Sequence, residues 1–367
     1  MDIKLITTTE EFYKLKEPWE RLQQMDKDVT YYSTFEYNWI WWNVYKNENI
    51  RQLFIVAVKE NGQVIAIAPF VIKKVNEKLF SYKLLEFLGT GDYLGILLDR
   101  NCEIKSDTII KKIFNFVESE SRQFERIKLT HIKADSKLSA YMLKNKKHNM
   151  DFKYLIECPI LRFNRFKSFQ DYKKEFASSN AKQYSNKLQR KVDYSFRVIC
   201  NENEDVYDRI SKLHINEQNY LIEAKGRKGR SSLYEDEFHS EFVKNIFNHN
   251  SNVITFVIED KNGNILIYET CYLYKRILHM WNTAYDPSYE KYNLGKIINL
   301  KIAEYLFENN MADIFDFGAG RYFWKFEWAD DFMLDYELDM WNVKTLKGRI
   351  LKKLYKLKKR YFRRKNG

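Results

Sequence analysis

Proline is scarce in this chain, with four residues in 367, and cysteine and glycine number only four and twelve. With so little proline and no Pro/Ser/Gly-rich run, nothing reads as a flexible linker. The cysteines Cys102, Cys158, Cys200 and Cys271 lie far apart and lack metal-type spacing. They read as buried free thiols. The six histidines are scattered, without an HxxxH or HExxH pattern, so no metal is expected. No stretch approaches the roughly 18–20 apolar residues of a membrane span. Met1-Asp2-Ile3-Lys4 leads into polar, acidic sequence, so no leader peptide is expected either.

What is present is a large apolar and aromatic content, 45% hydrophobic with 26 Tyr and 26 Phe. That excludes disorder, and the length suggests about two domains. The net charge of +12 is local. Of 62 Lys and Arg, 12 lie in Lys344–Gly367, which has no Asp or Glu; the first 343 residues carry 50 basic against 50 acidic residues. The body is neutral and the basicity is a tail.

Two halves share one grammar. The first opens with a helix-like region and an aromatic segment, "FEYNWIWWNVY". Two β-rich runs follow, "RQLFIVAVKE" and "QVIAIAPFVIKK", joined by Asn61-Gly62, a strong hairpin signal. A long strand is expected in "LLEFLGTGDYLGILL", then a helix over Ile109–Arg122 and a strand in "FERIKLTHI". In the second half, helices are expected over Ser168–Lys191, Asp205–Leu221 and Leu233–Asn248. Hairpins turning at "DKNGN" and "YKR" come next, then a helix over Gly295–Asn309 and strands in "DIFDFG" and "FMLDYELDMWN". Recurrence of this order is an internal duplication of pattern. The fold class is α+β.

"YDPSYEKYNLGKIINLKIAEYLFENNMADIFDFGAG" sets Asn293-Leu294-Gly295 at a helix start. Amides at a helix N-terminus attract anions, so the loop is either a phosphate cradle or a tight turn. Two carboxylates, Glu269 in "LIYETCYLY" and Asp316 in "FDFG", interrupt apolar strands; Glu269 is either a base lining a cavity or a group facing water at a sheet edge, and Asp316 either a base or a binder of a sugar hydroxyl. Lys325, set amid Trp324, Phe326 and Trp328 in "RYFWKFEW", is either a cation for an anionic substrate or oxyanion, or a stem lying along aromatics. Arg227, Lys228 and Arg230 in "AKGRKGRSS" form a basic loop suited to a phosphate.

These motifs, with "NAKQYSNKLQRKV" and "LHINEQNYLIEAKGRKGRSSLY", resemble in order the GNAT-type N-acyltransferase superfamily. The closest likeness is to its cellulose-biosynthesis branch with tandem GNAT-like modules. The likeness extends from about Phe35 to Asp331. It implies two modules, each a mixed, mostly antiparallel sheet flanked by helices. A degenerate N-terminal module would occupy 1–155 and an acyl-CoA-binding module 156–343, followed by a basic helix over 344–367. It implies that Glu290-Lys291-Tyr292-Asn293-Leu294-Gly295 takes the place of the pyrophosphate loop Q/R-x-x-G-x-G/A. Lys291 or Lys296 would supply the positive charge that Glu290 removes. "LHMWNTAYD" would be the strand paired with pantetheine, with Tyr285 bordering the thioester and Trp281 near the acceptor. Trp324 replaces the family's tyrosine, which would pass a general-acid role to Tyr322 or to water. Asp92 and Tyr93 of "GTGDYLG" and Arg227 are expected to face the acceptor.

The resemblance implies acetyl-CoA, or another acyl-CoA, as co-substrate. The acceptor would be an amino group of a sugar or cell-envelope glycan precursor. Fem-type aminoacyltransferases, which add amino acids to peptidoglycan precursors, share the two-module plan and a G…(F/Y)K…(F/W) ending. They give the alternative, although no long helical-hairpin insertion interrupts the second half. The departures at Glu290, Asn293 and Trp324 fit a third reading, a scaffold without activity in a polysaccharide system. In the tail, Leu346, Ile350, Leu354, Leu357 and Tyr361 recur at steps of three and four, with Leu351 and Phe362 beside them. Such a basic amphipathic helix reads as a membrane-surface element. A cytoplasmic enzyme held at the inner face of the membrane is expected, with nucleic acid not a partner.

Overall fold

The structure is a computed structural model. It describes residues 1–365 apart from 48, 177, 178, 202, 204, 228, 248 and 249, with side chains described as far as 358, residue 179 excepted. Strand β1 (Asp2–Ile6) precedes helices α1 (Thr9–Tyr13), α2 (Lys16–Met25) and α3 (Phe35–Tyr45). Strands β2 (Arg51–Leu53), β3 (Ile55–Glu60), β4 (Gln63–Ala68), β5 (Phe70–Asn76), β6 (Ser81–Phe87) and β7 (Leu97–Leu98) follow. Next come α4 (Ser106–Ser119), β8 (Arg126–Lys133), α5 (Lys137–Lys144) and β9 (Phe152–Arg162). Helices α6 (Phe169–Glu175) and α7 (Ser179–Gln189) lead to β10 (Tyr194–Cys200), α8 (Tyr207–Glu223) and α9 (Glu237–Phe247). The chain closes with β11 (Val253–Asp260), β12 (Ile265–Tyr274), β13 (Ile277–Tyr285), α10 (Leu294–Asn309) and β14 (Ile314–Asp316). Beyond these lie α11 (Phe323–Phe326), β15 (Asp331–Trp341) and α12 (Leu346–Lys365).

The chain divides into two compact units, Met1–Ile156 with Leu334–Gly367, and Glu157–Met333. The first unit is discontinuous because β15 pairs there with β8, from Asp335↔Lys133 to Trp341↔Arg126. It holds a four-stranded sheet, β1-β3-β4-β7, and a five-stranded run, β15-β8-β6-β5-β2. The Asn61-Gly62 hairpin forms as expected, both residues at positive φ (49° and 80°). The two long strands expected on either side of it are each broken. Pro69 lacks an N–H and has its φ fixed, so β4 ends and β5 leaves for the other run. Phe54 marks the matching switch between β2 and β3. "LLEFLGTGDYLGILL" is likewise a strand, a loop and the two-residue β7. Gly91 in that loop lies against Tyr32, whose ring a Cβ would meet at 2.4 Å.

In the second unit the strand order is β10-β11-β12-β13-β14-β9. The hairpin between β12 and β13 turns on Lys275 and Arg276, both at positive φ. Arg276 is anchored there by Asp313 and Asn310. The expected helix over Ser168–Lys191 is two elements, α6 and α7, since Phe176 is extended and packs into the core. Cys158 and Cys271 are buried thiols as expected, but Cys102 and Cys200 are only half-buried. Each unit contains one parallel pair linked through a helix, β6–α4–β8 in the first and β13–α10–β14 in the second. The expected duplication is therefore present in the topology.

The core of the second unit lies where α10, α6 and α7 cover the sheet, with Phe256, Ile258, Leu278, Ile297, Ile302 and Phe315 inside it. Phe256 is wholly buried and stacked on Phe196 at 6.1 Å. Truncating such a side chain removes its transfer free energy and leaves a cavity. Phe256→Ala should cost about 3–5 kcal/mol in urea unfolding; a loss under about 1 kcal/mol would contradict this packing.

Candidate active site

Strands β13 and β14 pair over three positions only, Ile277↔Ile314, Leu278↔Phe315 and His279↔Asp316. Beyond them β13 runs on to Tyr285 while the chain of β14 turns away at Asp316-Phe317-Gly318. The two strands splay, and the first turn of α10 sits at the opening. The register of β13 against β12 slips here: Thr270 faces Asn282 and Cys271 faces Met280, leaving Trp281 as the extra residue of a bulge. Bulges re-aim side chains and commonly lie beside sites.

A cavity of about 380 Å³ lies between the end of β13 and the first turn of α10, lined by Glu217, Glu269, Thr283, Tyr285, Asn293, Leu294, Gly295, Lys296, Trp324 and Glu327, among others. Asn293 adopts the left-handed conformation (φ 51°, ψ 55°) that asparagine tolerates. It thereby turns the chain into α10, where the Leu294 and Gly295 amides have no acceptor inside the helix while the Lys296 N–H donates to the Asn293 carbonyl at 3.0 Å. The space beside Gly295 is open, with no atom within 4 Å of a Cβ built there. Glu290 is held by the Tyr220 hydroxyl at 2.8 Å and the Lys225 ammonium at 2.9 Å, so its charge is compensated locally. These two bonds also keep the Glu290 carboxyl below its usual range. Lys296 pairs with Glu327 at 3.1 Å. Lys291 instead lies over the Tyr292 ring and does not line the cavity.

Glu269 lies opposite Thr283 on β12, nearly fully buried, and its Oε1 has no hydrogen-bond partner. Burial drives this carboxyl well above the usual range, against the opposing pull of the Thr283 hydroxyl and the Lys325 charge. Lys325 is buried and donates to the carbonyls of Gly318 and Ala319 at 2.9 Å each. Gly318 and Gly320, both at positive φ, form the turn that presents these carbonyls. Asp316 accepts from the Gly318 N–H at 2.8 Å and lies 3.3 Å from His279. Its carboxylate is thus engaged in the turn. Tyr322 is exposed, its ring against Gly320. Neither Asp316 nor Tyr322 lines the cavity.

A second cavity, of about 610 Å³, shares Glu217, Thr283, Tyr285 and Glu290 with the first. Its other walls include His214, Gln218, Lys225, Arg227, Arg230, Trp281 and Asn282. Arg227 and Trp281, expected near an acceptor, therefore meet here; Lys228 lies outside the described residues. Asp92 and Tyr93 belong to the first unit, where Tyr93 is buried and borders a small pocket with Ser33 and Leu94.

Sequence reasoning passed over Glu217. It sits on the inner face of α8 with Ile210, His214, Gln218 and Leu221. Three polar residues on the buried stripe of an amphipathic helix were the available signal. Burial pushes the Glu217 carboxyl up to about 7, although the Tyr285 N–H and the Arg230 charge pull it down. Burial, with help from Arg230, also lowers His214 to about 4, so it is neutral and bonds Ser232 at 2.8 Å.

The sequence model of the acetyltransferase (GNAT) domain family matches residues 176–326, a span that takes in the splay, the α10 loop, the second cavity and all of the first but Glu327 and Trp328. Over that span the chain is similar to the GNAT acetyltransferases, and the match supports an acyltransferase. Among solved structures, FemX aligns over 93% of this chain and 98% of its own at 12% identity and a TM-score of 0.59. L-PGS from Bacillus licheniformis aligns over 94% of each chain at 10% identity and a TM-score of 0.53. At such identities the likeness is one of fold. No curated protein matches this chain by sequence.

Because burial lifts Glu217 from an unfolded value near 4.5 to about 7, the folded chain holds that proton more tightly. Its contribution is full below pH 4.5 and is lost as pH rises through 7. Glu217→Gln does not titrate, so relative to the parent it should gain up to roughly 3 kcal/mol on going from pH 4.5 to 8. Urea melts at both pH values measure this; an identical difference at the two would contradict a buried, raised carboxyl.

Proposed function

We propose that the chain transfers an acyl group, in the first instance acetyl, from coenzyme A to an amino group of a sugar or cell-envelope glycan precursor. The carrying observation is the first cavity, where the unpaired stretch of β13, the first turn of α10 and the unpartnered Glu269 oxygen meet. A pantetheine arm needs only backbone groups from a strand edge, and a diphosphate needs only amides and the positive end of a helix. Open space at Gly295 and the local compensation of Glu290 both suit a diphosphate there.

The acceptor is assigned to the second cavity, and its class follows the family resemblance. The cationic rim of Lys225, Arg227 and Arg230 suits an acceptor that also bears phosphate or carboxylate. Glu217 lines both cavities and titrates near the working pH, which suits a general base. It would take a proton from the ammonium, the freed amine would form the C–N bond, and the C–S bond would break. Glu269, neutral and buried, has a proton to donate to the developing oxyanion or departing thiolate. Lys325 holds the Gly318-Ala319 turn and places a positive charge toward Glu269. Coenzyme A thioesters are cytosolic substrates, so the reading puts the enzyme in the cytoplasm. The near-complete alignment with FemX favours aminoacyl transfer as the second reading; the donor used, charged tRNA or acyl-CoA, separates the two.

Calorimetric titration with acetyl-CoA should show saturable binding. Gly295→Asp, which adds a carboxylate in open space, should weaken it by about tenfold or more. No heat at millimolar ligand would remove the cofactor assignment. With an amine acceptor in hand, Glu217→Gln should lower kcat/KM by about 10²–10⁴. In the parent, kcat/KM should rise with pH through about 7. A flat profile, or an unimpaired variant, would remove Glu217 as base.

A further inference from the structure

The last helix is docked by a different face from the one its sequence advertises. Leu351 is buried with Tyr82 and Leu84, and the Tyr355 ring lies 5.5 Å from Trp341 with the Arg126 guanidinium 4.4 Å above it. Lys347 and Lys358 are ion-paired to Glu125 and Glu77. At Gly348 the helix passes so close to the Asn342 carbonyl that a Cβ would overlap it. The helix is thus fastened to the first unit by its Leu351–Tyr355 side.

That fastening leaves the regular stripe outside. Leu346, Ile350, Leu354 and Leu357 are 67%, 49%, 38% and 60% exposed. Their positions at steps of four and three put them on one line of the helix, beside the docked side and open to solvent. Single exposed aliphatics are ordinary, but a continuous row marks a contact surface. Exposed Arg349, Lys353 and Lys356 border the row, and no acidic residue occurs between Lys344 and Gly367.

We propose that this exposed face of α12 binds an anionic lipid surface, seating its aliphatic row among the acyl chains and its bordering cations at the headgroups. The charge is complementary to such a surface, and the apolar row needs the interior that a bilayer has beneath its charge. A nucleic acid would satisfy the cations but leave the aliphatic row without a partner. The inference stands apart from the choice of acceptor or acyl donor.

The test uses the full chain and extruded vesicles, either pure phosphatidylcholine or a three-to-one mixture with phosphatidylglycerol. The parent should sediment with the mixed vesicles, only weakly with the neutral ones, and less as salt rises. A triple variant, Ile350→Ser with Leu354→Ser and Leu357→Ser, should bind about tenfold more weakly or worse. Its side chains are exposed, so its melting temperature should equal the parent's. Arg349→Gln with Lys353→Gln and Lys356→Gln should likewise lose binding. Absence of vesicle binding by the parent, or equal binding by the serine variant, would overturn the proposal. Binding to RNA that survives the serine changes, without vesicle binding, would reassign the face to nucleic acid. A dimer that the serine changes dissolve would reassign it to a second copy.

Discussion

Two neighbouring parallel strands that stop pairing after three residues leave the edge of β13 open at the candidate site. A strand that loses its partner presents backbone donors and acceptors along one side, and such an edge must be covered or used. In the second unit the edge of β13 is held in place by its pairing with β12 on both sides of the Trp281 bulge and by α8 packed against it. The opening is therefore fixed by hydrogen bonds remote from it. A rigid gap with polar backbone inside it can receive an extended ligand with little reorganisation. The first unit repeats the parallel pair, β6 with β8, matched at only two positions, Leu84↔Arg126 and Leu85↔Ile127.

Around that gap, burial rather than ion pairing sets the chemistry. Glu217 and Glu269 both line the first cavity, and neither takes part in an ion pair among the described residues. Desolvation raises both, Glu217 to about 7 and Glu269 well above the usual carboxyl range. In the proposed reaction Glu217 accepts a proton and the buried Glu269 carboxyl has one to give. Their cost in folding stability is carried by the apolar core beneath α10.

Much of the fold was readable in the sequence because local rules and tertiary structure agree there. Asn61-Gly62 demands a primed turn, and the apolar spacing of 109–122 demands a helix; both form. Strand ends were not readable where a strand changes sheets, as at Phe54 and Pro69, since a run of buried β-formers looks the same whichever sheet takes it. Within the site, Glu269 and the Asn293–Lys296 loop stood out because a charge in an apolar strand and a turn before a helix are local signals. Glu217 did not, for its meaning depends on which face of α8 is buried. Asp316 stood out for the same reason as Glu269, yet its hydrogen bond to Gly318 could be seen only in three dimensions. The tail shows the converse: its most regular stripe is the one left exposed, and the less regular Leu351 and Tyr355 make the contacts.

The central claim is that the splay between β13 and β14 is where acyl-CoA lies. A crystal structure of the chain soaked with coenzyme A tests it most directly. The pantetheine arm should lie alongside β13 between Met280 and Tyr285, the diphosphate at the amides of Leu294 and Gly295, and the thiol end toward Glu269 and Glu217. Coenzyme A bound elsewhere, or a splay that closes on itself in the presence of saturating ligand, would contradict it.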